Sequence, residues 1–190
     1  MTDDDVLQHF REAGALLEGH FILTSGLRSP MYLQCARVLM FPDRADALCH
    51  ELAGRIRQDL GEGSVDCVVS PAMGGVVVGY EMGRQLGVPA MFAERVDGSF
   101  TLRRGFELEQ GARVLMVEDV VTTGLSSREC IECITGFGGN VVAAACLVDR
   151  SGGTADAGGP LYPLVRLDVP AYPADQLPPA LPTIPAIKPR

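Results

Sequence analysis

Basic charge is scarce in this sequence. The 190 residues carry a formal net charge of −8 at pH 7, and Lys188 is the only lysine beside 15 arginines. General binding to nucleic acid or to an anionic membrane requires a basic face, so the composition argues against both kinds of partner. A chain of this composition that binds an anion must gather its arginines locally, and their positions therefore matter.

Long hydrophobic runs and a cysteine framework are also missing. The longest apolar run, Val141 to Val148, is too short to cross a bilayer, and acidic residues 3–5 stand where a signal peptide would begin. Cys130 and Cys133 form a CxxC pair without the second ligand pair that zinc requires, and the other four cysteines are scattered. We therefore expect a reduced, cytoplasmic protein.

Short apolar runs alternate with stretches of helical periodicity. The sequence predicts strands over 65–70, 89–93, 114–117, 140–148 and 161–168, helices over 3–18 and from Pro42, and extended pieces within 21–37 that break at 25–26 and 29–30. This alternation predicts one α/β domain with a mostly parallel central sheet flanked by helices. Seven of the 13 prolines lie in residues 170–190, where we expect an extended, non-helical tail on the surface.

The most informative stretch is RVLMVEDVVTTGLSS, residues 113–127. An apolar strand is closed by Glu118 and Asp119, a small-residue turn follows, and Ser126 with Glu129 matches a capping box at a helix start. Free N–H groups and the helix dipole would make this loop an anion site, whereas the acids suit a polyol or a metal that the ligand carries. A phosphate beside a ribose fits both halves, although an acidic strand end is often only solvated.

Two other segments allow more than one interpretation. The turn SPAMGG, residues 70–75, either presents N–H groups to a pyrophosphate or packs a helix close to the sheet. The segment 94–106 carries three arginines and is either a mobile hairpin over a site or a solvated β-arm. Residues 72–75, 118–126 and Arg150 all follow predicted strands, and parallel α/β proteins bind ligands at that edge.

Taken together, these motifs resemble the type I phosphoribosyltransferases, and specifically the orotate phosphoribosyltransferases. VEDVVTTGLS is similar to their signature for 5-phosphoribosyl-1-diphosphate (PRPP), while GHFILTSGLRSPMYLQCAR resembles their N-terminal hood. LVDR, at 147–150, is similar to the end of their base-recognition strand, and TLRRGF to the catalytic loop of one branch. The resemblance spans roughly residues 19–150, and it implies a hood at about 1–40, a core at about 42–168 with a mobile β-arm, and a tail at 170–190.

The resemblance also implies a reaction and its residues. These enzymes transfer the ribose 5-phosphate group of PRPP to orotate with Mg²⁺, giving orotidine 5′-phosphate and pyrophosphate in pyrimidine biosynthesis. The implied PRPP-binding residues are Glu118, Asp119, Val120, Val121, Thr122, Thr123, Gly124, Leu125, Ser126 and Arg95. The implied orotate-binding residues are Thr122 and Arg150, and the implied catalytic residues are Asp119, Arg103 and Arg104.

The remaining implications concern the metal, the assembly and the alternatives. Mg²⁺ would be held mainly by PRPP and water, with no dedicated protein ligands. The family forms homodimers that share loops between subunits. Gly74 stands where one branch has lysine, and the arm offers only arginines, where many relatives have lysines and a histidine. A purine phosphoribosyltransferase is the alternative enzyme, and a non-catalytic PRPP-sensing regulator is the alternative from another class.

Overall fold

A six-stranded sheet forms the centre of the computed structural model, which describes residues 1–23 and 25–189. The elements, in chain order, are α1 (Asp3–Glu12), β1 (Leu16–Ile22), β2 (Arg28–Leu33), α2 (Cys35–Leu39), α3 (Pro42–Leu60), β3 (Cys67–Pro71), α4 (Gly75–Leu86), β4 (Ala90–Val96), β5 (Ser99–Leu102), β6 (Arg113–Val121), α5 (Leu125–Gly136), β7 (Asn140–Asp149) and β8 (Leu161–Arg166). The central strands lie in the order β5-β4-β3-β6-β7-β8, and every pairing is parallel except that of β5 with β4. The prediction of a mostly parallel α/β sheet is confirmed.

Alternating residues of the buried strands face two separate apolar layers. Leu115 and Val117 of β6 join the larger layer, to which α1, α2, α3 and α4 contribute. Val114 and Met116 of the same strand join the smaller layer beneath α5. Because successive strand residues point to opposite faces, a continuous apolar run is what a strand covered on both sides requires.

The first helix ends six residues earlier than the sequence predicted. It stops at Glu12, and Gly14 takes a left-handed backbone conformation with φ of +60°. Residues from Leu16 onward then form β1, so the predicted end at Gly19 is wrong. Of the apolar residues that suggested a longer helix, Ala13 is buried at the C-cap of α1 and Leu17 is exposed in β1.

The hood is a two-stranded antiparallel sheet, β1 with β2. The predicted break at Ser29-Pro30 is wrong, because both residues lie inside β2. Pro30 cannot donate a ladder hydrogen bond, but the register of β1 shifts between Glu18 and Phe21, and Pro30 lies opposite this irregularity.

The proline-rich tail is attached to both hood strands. Ile187 bridges to Phe21 of β1, and Tyr172 bridges to Arg28 of β2. A single 3-10 turn at Leu181–Thr183 interrupts the otherwise irregular tail, and Leu181 is buried. The hood and the tail therefore form one structural unit.

The central motif differs from its sequence prediction in two details. Strand β6 continues through the acid pair to Val121, because β7 supplies partners as far as Asp149. Helix α5 begins at Leu125 after the N-cap Gly124, which makes no side-chain capping bond, so the predicted capping box of Ser126 and Glu129 is wrong. The Glu129 carboxylate instead pairs with Arg95.

Within residues 1–23 and 25–189, no helix combines the length and the apolar character needed to span a membrane.

Candidate active site

Glu118 and Asp119 occupy the carboxyl half of β6, and each has its own surroundings. Glu118 is buried, and Ser127 Oγ of α5 donates a hydrogen bond to its Oε2 at 2.5 Å. Removal from water raises the pKa of Glu118 to about 7, although the bond from Ser127 opposes the shift. Burial also raises the pKa of Asp119, and backbone hydrogen bonds at Val120 and at its own amide oppose it.

The loop between β6 and α5 forms an open cradle for an anion. Gly124 has φ of +79°, and an added Cβ there would lie 2.0 Å from the Asp156 carbonyl oxygen, so only glycine fits. The Arg128 guanidinium donates to that same carbonyl and fixes the supporting loop. The N-cap Gly124 has no side chain to cap α5, and the Leu125 amide makes only a long bond of 3.4 Å to Thr123 Oγ1. The first turn of α5 can therefore offer N–H groups to a ligand, and Thr122, Thr123, Leu125 and Ser126 around it are exposed.

The turn from β3 to α4 adjoins the acid pair. A Cβ on Gly74 would lie 2.8 Å from Asp119 Oδ1, so the Asp119 carboxylate packs against this glycine. A Cβ on Gly75 would lie 3.0 Å from the Ser70 Cβ and 3.1 Å from the Val117 carbonyl oxygen. Gly75 therefore lets α4 pack close to the sheet, which is one of the two interpretations of the SPAMGG turn. Gly74, which has no side chain, leaves space for the Asp119 carboxylate.

Arg150 lies at the carboxyl end of β7, where its amide donates to the Val121 carbonyl at 2.8 Å. It faces an open cavity of about 550 Å³ lined by residues of the hood, of the loop after β6 and of the tail. The lining residues are Ile22, Leu23, Ser25, Tyr32, Thr122, Arg150, Lys188 and Pro189. None of these eight residues is acidic, and two are cationic.

The half-buried Arg150 side chain has no partner at Nε within the described part of the chain. Burial lowers the pKa of Arg150 from its ordinary value, and nearby Cys35 and Tyr32 oppose this. A half-buried arginine at a cavity whose eight described lining residues include no acid is suited to a planar anionic ligand.

The three arginines of the arm lie at the edge of the sheet. Arg95 pairs with Glu129 and lies over the Phe100 ring, 4.1 Å from its centre. Arg104 pairs with Glu94 at 2.7 Å and projects from a β-turn that the bond from the Phe106 amide to the Arg103 carbonyl closes at 2.9 Å. Arg103 is exposed on the same turn. The structure thus brings Glu118, Asp119 and residues 120–126 together, while Arg95 and Arg104 are engaged with acids of their own chain.

Several residues of the site were missed by the sequence analysis. Ser127 is fully buried against Glu118, and Lys188 lines the Arg150 cavity from the far end of the chain. Ser127 follows the predicted loop directly, so the spacing offered a signal. For Lys188 the only signal was its being the single lysine of the sequence.

Comparison with known proteins agrees with this geometry. Residues 43–162 match the family model described as "Phosphoribosyl transferase domain". Orotate phosphoribosyltransferase of Rhizorhabdus wittichii is 64% identical over 189 residues, covering 100% of this chain and 96% of its own length. A crystal structure of the Aeropyrum pernix orotate phosphoribosyltransferase aligns with a TM-score of 0.69 at 28% identity, over 85% of this chain and 93% of its own.

The fold itself is shared more widely. Adenine phosphoribosyltransferase of Saccharomyces cerevisiae aligns with a TM-score of 0.65 at 15% identity, over 84% of this chain and 99% of its own. At that identity the similarity concerns the fold alone, whereas the Rhizorhabdus relative matches across the whole chain, including the hood and the tail. The chain therefore belongs to the phosphoribosyltransferase family and, within it, to the orotate phosphoribosyltransferases.

Proposed function

We propose that this chain transfers the ribose 5-phosphate group of PRPP to orotate, giving orotidine 5′-phosphate and pyrophosphate in pyrimidine biosynthesis. The observation that carries the proposal is the position of Thr122, which belongs to the phosphate loop and also lines the cationic cavity beside Arg150. A single loop thus borders both a place for a sugar phosphate and a place for a planar anion.

We assign PRPP to the acid pair and the loop that follows it. The carboxylates of Glu118 and Asp119 accept hydrogen bonds from the ribose hydroxyls, and Val120 to Ser126 surround the 5′-phosphate. The exposed first-turn N–H groups of α5 supply donors without a side-chain charge, which supports this assignment in an acidic protein.

We assign orotate to the cavity that Arg150 faces. The guanidinium fork matches the carboxylate and carbonyl acceptors of the ring, and the place of Arg150 in the cavity lining supports the assignment. Thr122 contributes its hydroxyl from the side of the phosphate loop. Orotate N1 then forms its bond to C1 of the ribose as the bond from C1 to the pyrophosphate oxygen breaks, and the proton of N1 passes to the departing pyrophosphate.

The protein contributes chiefly by positioning and by electrostatics. Positive charge develops on the ribose ring and negative charge on the departing pyrophosphate. Asp119, held beside the ribose, stabilises the positive charge on the ribose ring. Arg103 and Arg104 of the arm stabilise the negative charge on the pyrophosphate when the arm closes. Arg95 supports the pyrophosphate from the base of the same arm.

Mg²⁺ fits this site as an ion that arrives with PRPP. In the part of the chain that the structure describes, no three His, Cys, Asp or Glu side chains are grouped to hold a metal ion. Mg²⁺ commonly binds phosphate oxygens and retains several waters, so the donors of PRPP suffice. Bound there, the ion would neutralise the charge of the pyrophosphate group.

We further propose a homodimer that shares its arms, working in the cytoplasm. Met73, Val77 and Tyr80 form one apolar face of the β3–α4 turn and α4, and they are 83%, 49% and 70% exposed. Such a face beside the Gly74 turn supports a subunit interface next to the site. All six cysteines are unpaired, which supports a reducing compartment.

A pyrophosphate-release assay tests the proposed reaction. The protein is incubated with Mg²⁺ and PRPP, and with either orotate or adenine as the acceptor. We expect pyrophosphate release when orotate is the acceptor and none when adenine is. Release only with adenine would indicate a purine transferase, and PRPP binding without release with either base would indicate a regulator.

A further inference from the structure

The tail brings the only lysine of the chain to the proposed substrate cavity. Lys188 and Pro189 line that cavity together with Arg150 and Thr122, although Lys188 follows Arg150 by 38 positions in the sequence. The roles assigned above leave this cation unused.

Main-chain hydrogen bonds hold the tail in this position. The Ile187 amide donates to the His20 carbonyl at 2.8 Å, and the Ile22 amide donates to the Ile187 carbonyl at 2.8 Å. Tyr172 exchanges two further bonds of 2.8 Å with Arg28 on the other hood strand. Since the backbone fixes the residue before it, Lys188 reaches the cavity without using its own side chain for docking.

We propose that Lys188 is a substrate-binding residue whose ammonium group contacts the carboxylate of orotate. This inference rests on the proposed function and adds a specificity-determining residue to it. A cavity with two cations and no acidic lining residue favours a ligand with a full negative charge over a neutral base. Orotate carries that charge on its carboxylate, and uracil, the same ring without the carboxylate, does not.

The two cations have complementary geometries. The guanidinium of Arg150 is planar and half-buried at the end of β7, so it suits the edge of a flat ring. The ammonium of Lys188 is a compact charge on a flexible stem, and the residue is exposed at the cavity. A point charge of this kind can follow the carboxylate without constraining the plane of the ring.

A phosphate group has the same attraction for an ammonium, so the test must separate the two anions. Orotidine 5′-phosphate and uridine 5′-phosphate differ only in the carboxylate on the ring. The first probes the carboxylate and the phosphate together, and the second probes the phosphate alone.

Amine labelling of the wild-type protein makes this comparison directly. An amine-acylating reagent modifies only Lys188 and the N-terminal amine, because the sequence has no other lysine. At ten times its dissociation constant, orotidine 5′-phosphate should slow the labelling of Lys188 about 10-fold, as occupancy dictates. Saturating uridine 5′-phosphate should slow it far less, and the N-terminal amine serves as the internal control. Equal protection by both nucleotides would assign Lys188 to the phosphate, and no protection would remove it from the site; either result overturns the proposal.

Steady-state kinetics provide the second test. We expect Lys188→Gln to raise the KM for orotate about 5- to 10-fold while the KM for PRPP changes by less than about two-fold. Lys188→Arg should restore most of the loss. Arg11→Gln on α1 is the matched control, because it removes the same unit charge from an exposed position outside the site.

The outcomes separate this inference from the proposed function. If the wild-type protein releases no pyrophosphate with orotate, the proposed function fails whatever Lys188 does. If the wild-type protein is active and Lys188→Gln has unchanged orotate kinetics, only the role of Lys188 is wrong.

Discussion

Glu118 and Asp119 are neighbours in β6, yet they face opposite layers of the protein. Glu118 points toward α5, where Ser127 holds it, whereas Asp119 points toward α4 and packs against Gly74. Successive strand residues point to opposite faces of a sheet, so these two adjacent carboxyl groups contact different helical segments. Burial raises the pKa of both carboxyl groups, and for Glu118 the value reaches the physiological range at about 7.

The raised pKa of Glu118 predicts a dependence of stability on pH. The unfolded carboxyl group ionises near its model value of 4.5 and the folded one near 7, so its contribution to stability is present below 4.5 and is lost as pH rises through 7. Glu118→Gln, which cannot ionise, should therefore gain in unfolding free energy relative to wild type between pH 5 and 8, by up to roughly 3 kcal/mol. Urea unfolding at several pH values measures this, with Glu132→Gln on the exposed side of α5 as the control. If the unfolding free energies of wild type and Glu118→Gln changed with pH in parallel, the raised pKa of Glu118 would be contradicted.

Gly74 leaves the space that the Asp119 carboxylate occupies. Gly74→Ala would put a Cβ 2.8 Å from Asp119 Oδ1, and the carboxylate would have to move. We expect kcat/KM for PRPP to fall about 10-fold with little change in melting temperature, because the role proposed for Asp119 requires its carboxylate in this position. Gly54→Ala in α3 is the matched control, since a Cβ there meets no atom within 4 Å. A normal kcat/KM for Gly74→Ala would show that the Asp119 position does not matter.

At the scale of elements, the arm made by β4 and β5 ends in an exposed turn at residues 103–105. Arg104 and Gly105 both have positive φ, 60° and 73°, and this tight turn projects Arg103 and Arg104 from the sheet edge. The ion pairs that Arg95 and Arg104 make with acids of their own chain must be exchanged if the arm closes over pyrophosphate. Exposed ion pairs contribute little to stability, so this exchange costs little.

Arg104→Ala should cut kcat about 100-fold with little effect on stability or assembly, because its charge acts where the pyrophosphate charge develops. Mixing this variant with Asp119→Asn distinguishes an arm that acts on the partner subunit from one that acts on its own. In a mixed dimer with shared arms, one site collects both lesions and the other collects neither, so activity returns. Mixed dimers without activity, verified by differently tagged subunits, would mean that the arm does not act on the partner's site.

The sequence predicts those elements whose residues carry their own pattern. The apolar runs of β3, β6 and β7 indicate buried strands because both faces of each strand are covered by apolar layers. The same reasoning fails at residues 13–18, where Ala13 and Leu17 fit a helical face but Gly14 turns the chain into β1. It fails again at Glu129, whose carboxylate is taken by Arg95 from a strand 34 positions earlier.

The parts of the site that are continuous in sequence could be predicted, and the parts that depend on long-range contacts could not. The acid pair and the phosphate loop are contiguous in sequence, so their chemistry is visible before the fold is known. The contribution of the tail to the Arg150 cavity depends on main-chain bonds from Ile187 and Tyr172 to the hood. Main-chain bonds leave no side-chain pattern, so this contribution could not be predicted.

At the scale of the whole molecule, a net charge of −8 coexists with a cavity whose lining, among residues 1–23 and 25–189, includes two cations and no acids. An acidic surface repels polyanions in general, and local cations can then attract an anionic ligand at particular places. The apolar face at Met73, Val77 and Tyr80 lies next to Gly74, which packs against Asp119. The proposed subunit interface is therefore close to the acid pair.

Tyr80→Glu should convert the proposed dimer to a monomer, because it puts a charge on this apolar face. Sedimentation equilibrium or light scattering would measure the mass. Phe137→Glu is the matched control, since Phe137 is an exposed apolar residue, 44% accessible, at the C-cap of α5. A wild-type protein that is already monomeric, or a Tyr80→Glu variant that stays dimeric, would exclude this interface.

The central claim is that the Arg150 cavity selects orotate while the loop after β6 binds PRPP, and the kinetics of Arg150→Ala test it most directly. The KM values for orotate and for PRPP are measured separately, with Arg166→Ala on the adjacent strand β8 as the matched control. Because a charged, bidentate contact is lost, we expect the KM for orotate to rise at least about 10-fold while the KM for PRPP stays within about two-fold. Unchanged orotate kinetics together with weakened PRPP binding would contradict the account.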